Sequence, residues 1–102
     1  MGPRKESRED IERRLFDLSI GPLRLLDTVL DKAGERRPAA LLRELLLDWR
    51  AYPSKSRFSA KELQDFAATL KTIEASLRKV KEDKGARVVS EIGQELLRWI
   101  KS

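Results

Sequence analysis

The fold is decided by residues 58–99, FSAKELQDFAATLKTIEASLRKVKEDKGARVVSEIGQELLRW. Leu63, Phe66, Leu70, Ile73, Leu77 and Val80 follow one another at spacings of 3, 4, 3, 4 and 3, the a/d seam of a helix over almost three heptads. Val89, Ile92, Leu96 and Trp99 repeat the pattern at 3, 4 and 3. Nine residues separate Val80 from Val89, which at about 100° per residue puts the two stripes half a turn out of phase. A single helix through both would show apolar stripes on opposite sides. A reversal between them lets the stripes face each other, and Glu82-Asp83-Lys84-Gly85-Ala86 supplies a glycine for it. The pattern predicts an antiparallel helical hairpin over about 60–83 and 87–101, with Gly85 in the left-handed region ending the first arm. Ser59-Ala60-Lys61-Glu62 has the form of a capping box for that arm, with Phe58 placed as its hydrophobic staple.

Upstream, Ile11, Leu15 and Leu18 make one helical face behind a Ser7 cap and the acids Glu9 and Asp10. Gly21-Pro22 interrupts that run, and Pro22 suits the first turn of a second helix with Leu23, Leu26, Val29, Leu30 and Ala33 inward and Gly34 at its end. Pro38 opens a third helix. Its Leu41, Leu42, Leu45, Leu46 and Trp49 cover an arc wide enough for a central position. Pro53 ends it. The expected fold is all-α: a small bundle of four to five helices with a C-terminal antiparallel hairpin. Residues 1–6 form a tail and 7–102 a single helical domain, divided into N-terminal helices (7–52), a basic connector (53–58) and the hairpin (59–102).

A chain of 102 residues makes one domain, and 40% hydrophobic residues suffice for a core. It contains neither Cys nor His, so disulfides and the usual soft-metal sites are excluded. The carboxylates fall at helix starts or three to four residues from a cation, the positions of solvated helix pairs. With no Gly-rich phosphate loop and no calcium loop either, the expectation is no catalytic residue, no metal, no cofactor and no small-molecule substrate. No apolar run approaches the roughly 18 residues of a membrane span, and the protein is expected to be cytoplasmic with no membrane partner.

Lys and Arg number 22 against 17 acids, a formal charge of +5, which favours polyanionic partners. The longest acid-free stretch, with four cations, is Trp49-Arg50-Ala51-Tyr52-Pro53-Ser54-Lys55-Ser56-Arg57-Phe58-Ser59-Ala60-Lys61. Trp49 and Phe58 belong to the core by pattern. Arg50, Lys55, Arg57 and Lys61 are candidates for phosphate contacts, and Tyr52 for stacking on a base. A second basic group, with Arg78, Lys79 and Lys84 as its candidate contacts and Lys81 and Arg87 beside them, surrounds the hairpin tip. Cations at a helix C-terminus also answer the dipole. A helix-turn-helix reader does not fit, because the connector has about seven residues and no glycine, and Glu62 and Asp65 would face the phosphates.

The seam residues Leu63, Phe66, Leu70, Ile73, Leu77 and Val80 are also candidates for self-association. Their stripe is longer than its mate, and the overhang could pack on another subunit. These features describe a non-enzymatic, self-associating module that binds DNA, RNA or a nucleoprotein assembly. The alternative is an adaptor that uses its Leu-rich face or the seam to hold another protein's helix.

The layout of Leu42-Arg43-Glu44-Leu45-Leu46-Leu47-Asp48, a basic connector and the 63–99 hairpin resembles the small terminase subunits of tailed phages. Those join a helical DNA-binding part to an oligomerising hairpin. It is similar, too, to small helical subunits lining a CRISPR effector complex. Both resemblances are architectural, cover the C-terminal half, and imply a nucleoprotein partner. The DNA-binding motif of the terminase subunits has no counterpart in this sequence.

Overall fold

The computed structural model describes residues 8–51 and 58–101, and these form five helices: α1 (Arg8–Ile20), α2 (Leu26–Lys32), α3 (Arg36–Arg50), α4 (Ala60–Lys79) and α5 (Asp83–Lys101). No helix among the described residues is long and apolar enough to cross a membrane. The protein is all-α, and α4 and α5 form the expected antiparallel hairpin. Leu63, Leu70, Ile73 and Leu77 of α4 and Val89, Ile92 and Leu96 of α5 are buried. Each of these side chains stabilises the fold by about 1.5–3 kcal/mol through its removal from water.

The start of α4 follows the sequence closely. Ser59 Oγ accepts from the Glu62 N–H at 3.1 Å, and the Glu62 carboxylate accepts from the Ser59 N–H at 2.8 Å. Two of the four amides that a helix start leaves unpaired are satisfied in this way. Phe58 is buried just before the cap, edge-on to Phe66 at 5.1 Å, and Phe66 meets Trp49 of α3 edge-on at 5.9 Å. Through these aromatic contacts the first half of α4 packs on α3.

The reversal between α4 and α5 differs from expectation in its position and its residue. The first arm ends at Lys79 rather than 83, and the second starts at Asp83 rather than 87. The left-handed residue is Lys81, at φ 65°. Around it the Lys81 N–H donates to the Arg78 carbonyl at 3.0 Å and the Glu82 N–H to the Leu77 carbonyl at 2.8 Å, the paired bonds of a Schellman motif. The end of α2 uses the same device with a glycine: Gly34 has φ 86°, and its N–H and that of Glu35 donate to Asp31 and Leu30.

Gly85 lies inside α5 and serves packing. A Cβ there would stand 2.9 Å from Cδ2 of Leu26, so its missing side chain is what lets α5 approach α2. A left-handed lysine costs about 1 kcal/mol relative to glycine. Lys81→Gly is therefore expected to stabilise the chain by about 0.5–1 kcal/mol and raise Tm by several degrees. Thermal unfolding showing a lower Tm would mean that the Lys81 side chain itself holds the turn.

The N-terminal half departs in smaller ways. Residues 21–25 form turns, not the first turn of a helix. The Leu23 N–H reaches back to the Leu18 carbonyl at 3.0 Å and the Arg24 N–H to Gly21 at 3.1 Å, so α2 starts only at Leu26. Pro38 is the third residue of α3, where its missing N–H is one the helix leaves unpaired in any case. As its wide apolar arc predicts, α3 is central and packs on α1, α2 and α4.

The α4 seam expected to serve self-association is packed within the chain. Leu63, Phe66, Leu70, Ile73 and Leu77 are buried within the chain, and Val80 is packed against the same core. At 19 residues, α5 nearly matches the 20 of α4, and α3 takes the aromatic end.

Candidate nucleic-acid interface

The residues singled out by sequence for nucleic-acid contact fall into three groups. Tyr52, Lys55 and Arg57 lie outside the described residues. Arg50 donates from Nε and Nη2 to the Ser19 carbonyl, at 3.2 and 2.8 Å. It thereby caps the end of α1, a role that the acid-free run in the sequence does not suggest. Lys61 is exposed in the first turn of α4.

At the other end of α4, Arg78 pairs with Glu74 one turn back at 2.9 Å. Lys79 reaches Glu35 at 3.3 Å, and Lys84 is exposed in the first turn of α5. Eighteen positions on one helix separate Lys61 from Lys79, about 27 Å at 1.5 Å per residue. Lys61 and the hairpin-tip cations are therefore not one surface.

The Lys79–Glu35 contact gives the hairpin tip a different companion. Glu35 is the residue before α3, so Lys32 at the end of α2 and Arg36 and Arg37 at the start of α3 lie beside the tip. The close approach of Gly85 to Leu26 brings the start of α5, with Lys84 and Arg87, to the same end. Lys32, Arg36, Arg37, Lys81, Lys84 and Arg87 are all exposed, and among the described residues none forms an ion pair. With Arg78 and Lys79 they make eight cations against Glu35, Glu74, Glu82 and Asp83, an excess of four in a chain whose total is +5.

Position within the helices separates these cations into two kinds. Lys32, Arg78 and Lys79 lie in the last turns of α2 and α4, where the dipole favours them. Arg36 and Arg37 occupy the first turn of α3, which carries no acid and whose N-cap, Glu35, makes no side-chain capping bond. The dipole disfavours cations there. Free amides and two guanidinium groups together make a site suited to an anion.

Neither a family model, nor a curated protein, nor a solved structure matches this chain. Function is therefore argued from the residues alone.

Arg36 and Arg37 were visible in the sequence as part of Gly34-Glu35-Arg36-Arg37-Pro38. Their nearness to the hairpin tip was not, because it depends on a contact between residues 44 positions apart. By contrast Arg43, also on α3, is committed to structure. Its guanidinium bonds Asp31 at 2.7 Å and Asp27 at 3.1 Å, and these bonds, Asp31 first, raise its pKa above the ordinary value. It stays protonated at any working pH and ties α3 to α2.

Proposed function

We propose that the chain is a non-enzymatic, cytoplasmic helical module that holds a nucleic acid by its phosphate backbone through the basic pole at the hairpin tip. The observation that carries this reading is the pair Arg36 and Arg37. They sit against the helix dipole, without an ion pair among the described residues, beside the cations of the hairpin tip. Phosphates answer both features, since each contact neutralises a cation and releases condensed counterions. Backbone contacts of this kind position a protein without reading sequence, so the expected binding is non-specific.

The test is titration of a labelled duplex over a range of salt concentrations. Non-specific affinity in the range of about 10⁻⁴–10⁻⁶ M is expected near physiological salt, falling steeply as salt rises. Arg36→Ala with Arg37→Ala should weaken binding equally on unrelated sequences and lower the log–log salt slope by about 0.9 per lost contact. Thermal stability should change little, because exposed charges contribute little to folding. Unchanged affinity and slope at low salt would remove the pole from the interface. A larger loss from Lys55→Ala with Arg57→Ala would return the interface to the connector.

The adaptor reading has support of its own. Ile20, Leu25 and Leu47 are three of the four large apolar side chains that stand exposed among the described residues. Arg43 reaches α2 and Arg50 reaches the end of α1, and Leu47 lies between them on the same stripe of α3. Ile20 ends α1 and Leu25 precedes α2, the two elements to which these arginines tie α3. Exposed apolar side chains suit a protein partner, and a chain that ignores DNA at low salt would favour this alternative.

A further inference from the structure

The cleft between α3 and α4 reverses the character of the pole. Glu44 and Asp48 stand one turn apart on its α3 side, and Glu62 and Asp65 line its α4 side. Leu45 and Phe66 contribute apolar surface between them, and the cleft has a volume of about 250 Å³ with no Lys or Arg in its lining. In a chain with more cations than acids that is an unequal distribution. Glu44, Asp48 and Asp65 are exposed and form no ion pair among the described residues.

Acidic cleft and basic tip cannot neutralise each other within one chain. Both are carried by α4, and Asp65 and Lys79 are fourteen positions apart, about 21 Å along a continuous helix. That is more than twice the screening length of about 8 Å at physiological salt. Opposite charges fixed at different places on a rigid body can meet only between bodies.

We propose that the α3–α4 cleft of one chain receives the hairpin tip of a second copy, Lys81 and Lys84 entering between the two acidic rims while the apolar surface between them is covered. The contact joins different surfaces of the two copies, so it is heterologous. Each dimer keeps one free cleft and one free tip, and assembly continues until a ring closes or a filament grows. The inference uses cations of the pole already assigned to phosphates, but it does not require nucleic-acid binding. If both hold, duplex and cleft compete for the tip.

Sedimentation of nucleic-acid-free protein tests it. At micromolar concentration and low salt, the average mass should rise above the monomer's 11.7 kDa and continue to rise with concentration. High salt should return it to the monomer. Glu44→Gln with Asp48→Asn, and separately Lys81→Gln with Lys84→Gln, should each weaken association at least tenfold. All four substitutions are at exposed positions, and far-UV circular dichroism would verify that both variants are folded. An equimolar mixture of the two variants should form a dimer and stop there, since each supplies the surface the other lacks.

A monomer at every salt concentration, or association unaffected by either variant, would overturn the proposal. So would a mixture of the variants that stays monomeric. Duplex binding, measured at protein concentrations where the chain is a monomer, reports separately on the nucleic-acid reading.

Discussion

Leu70→Asp is expected to abolish the folded state. Leu70 is 1% exposed in the middle of the α4 stripe, and the backbone of α5 passes so close that a Cβ on Gly93 would lie 3.8 Å from its own. Losing the leucine side chain alone costs about 2–5 kcal/mol. A carboxylate in its place adds several kcal/mol more, since no cation is positioned to meet it in the core. A domain of this length has a total stability of about 5–15 kcal/mol, and small domains fall toward the lower end. The variant should lose most of its far-UV helical signal and show no cooperative thermal transition. Leu97→Asp is the control: Leu97 belongs to the same hairpin but is 41% exposed, and its substitution should shift stability by about 0.5 kcal/mol or less. A cooperative transition near the parent's Tm in Leu70→Asp would mean that the α4–α5 seam is not the core of this protein.

The hairpin was legible in the sequence because two periodic signals constrained each other. Neither stripe alone argues against one long helix; the half-turn phase difference between Val80 and Val89 does, because one helix would show its two stripes on opposite sides. The capping box was legible for a related reason, since all its bonds join residues within one turn. What escaped sequence reading was whatever depended on contacts distant in the chain. A glycine is compatible with a left-handed turn or with a close helix approach, and only the position of Leu26 shows that Gly85 serves the second. Lys81 carries no signal of its left-handed conformation, because the Schellman bonds that hold it come from the helix before it. The cations divide in the same way: Arg36 and Arg37 are plain in the sequence, but only Glu35 on Lys79 places them beside the hairpin tip.

Glu12 is the polar residue that the sequence concealed most fully, and its removal carries the other large expected effect. Glu12, Leu15 and Ser19 form a stripe on α1 at spacings of 3 and 4, and all three are buried. That spacing was the available signal, although an acid in a helix so rich in charge is ordinarily solvated. At 4% exposure the Glu12 carboxylate accepts the Phe58 N–H at 2.6 Å, the short distance of a charge-assisted bond. It ties α1 to the residue just before the α4 cap, 46 positions away, and so fixes where the chain enters the hairpin. Glu12→Ala removes this acceptor and leaves space behind it. The expected cost is about 2–4 kcal/mol, a fall in Tm of more than about 10 °C. Glu12→Gln keeps a carbonyl acceptor of the same reach and loses only the charge, so about half of the stability should return. Amide exchange supplies the local reading: the Phe58 and Ser59 amides should exchange faster in the alanine variant by more than global destabilisation explains, and recover in the glutamine variant. Were both variants as stable as the parent, with Phe58 exchange unchanged, the bond would contribute nothing to the fold and the entry to α4 would be held by Phe58 packing on Phe66 alone.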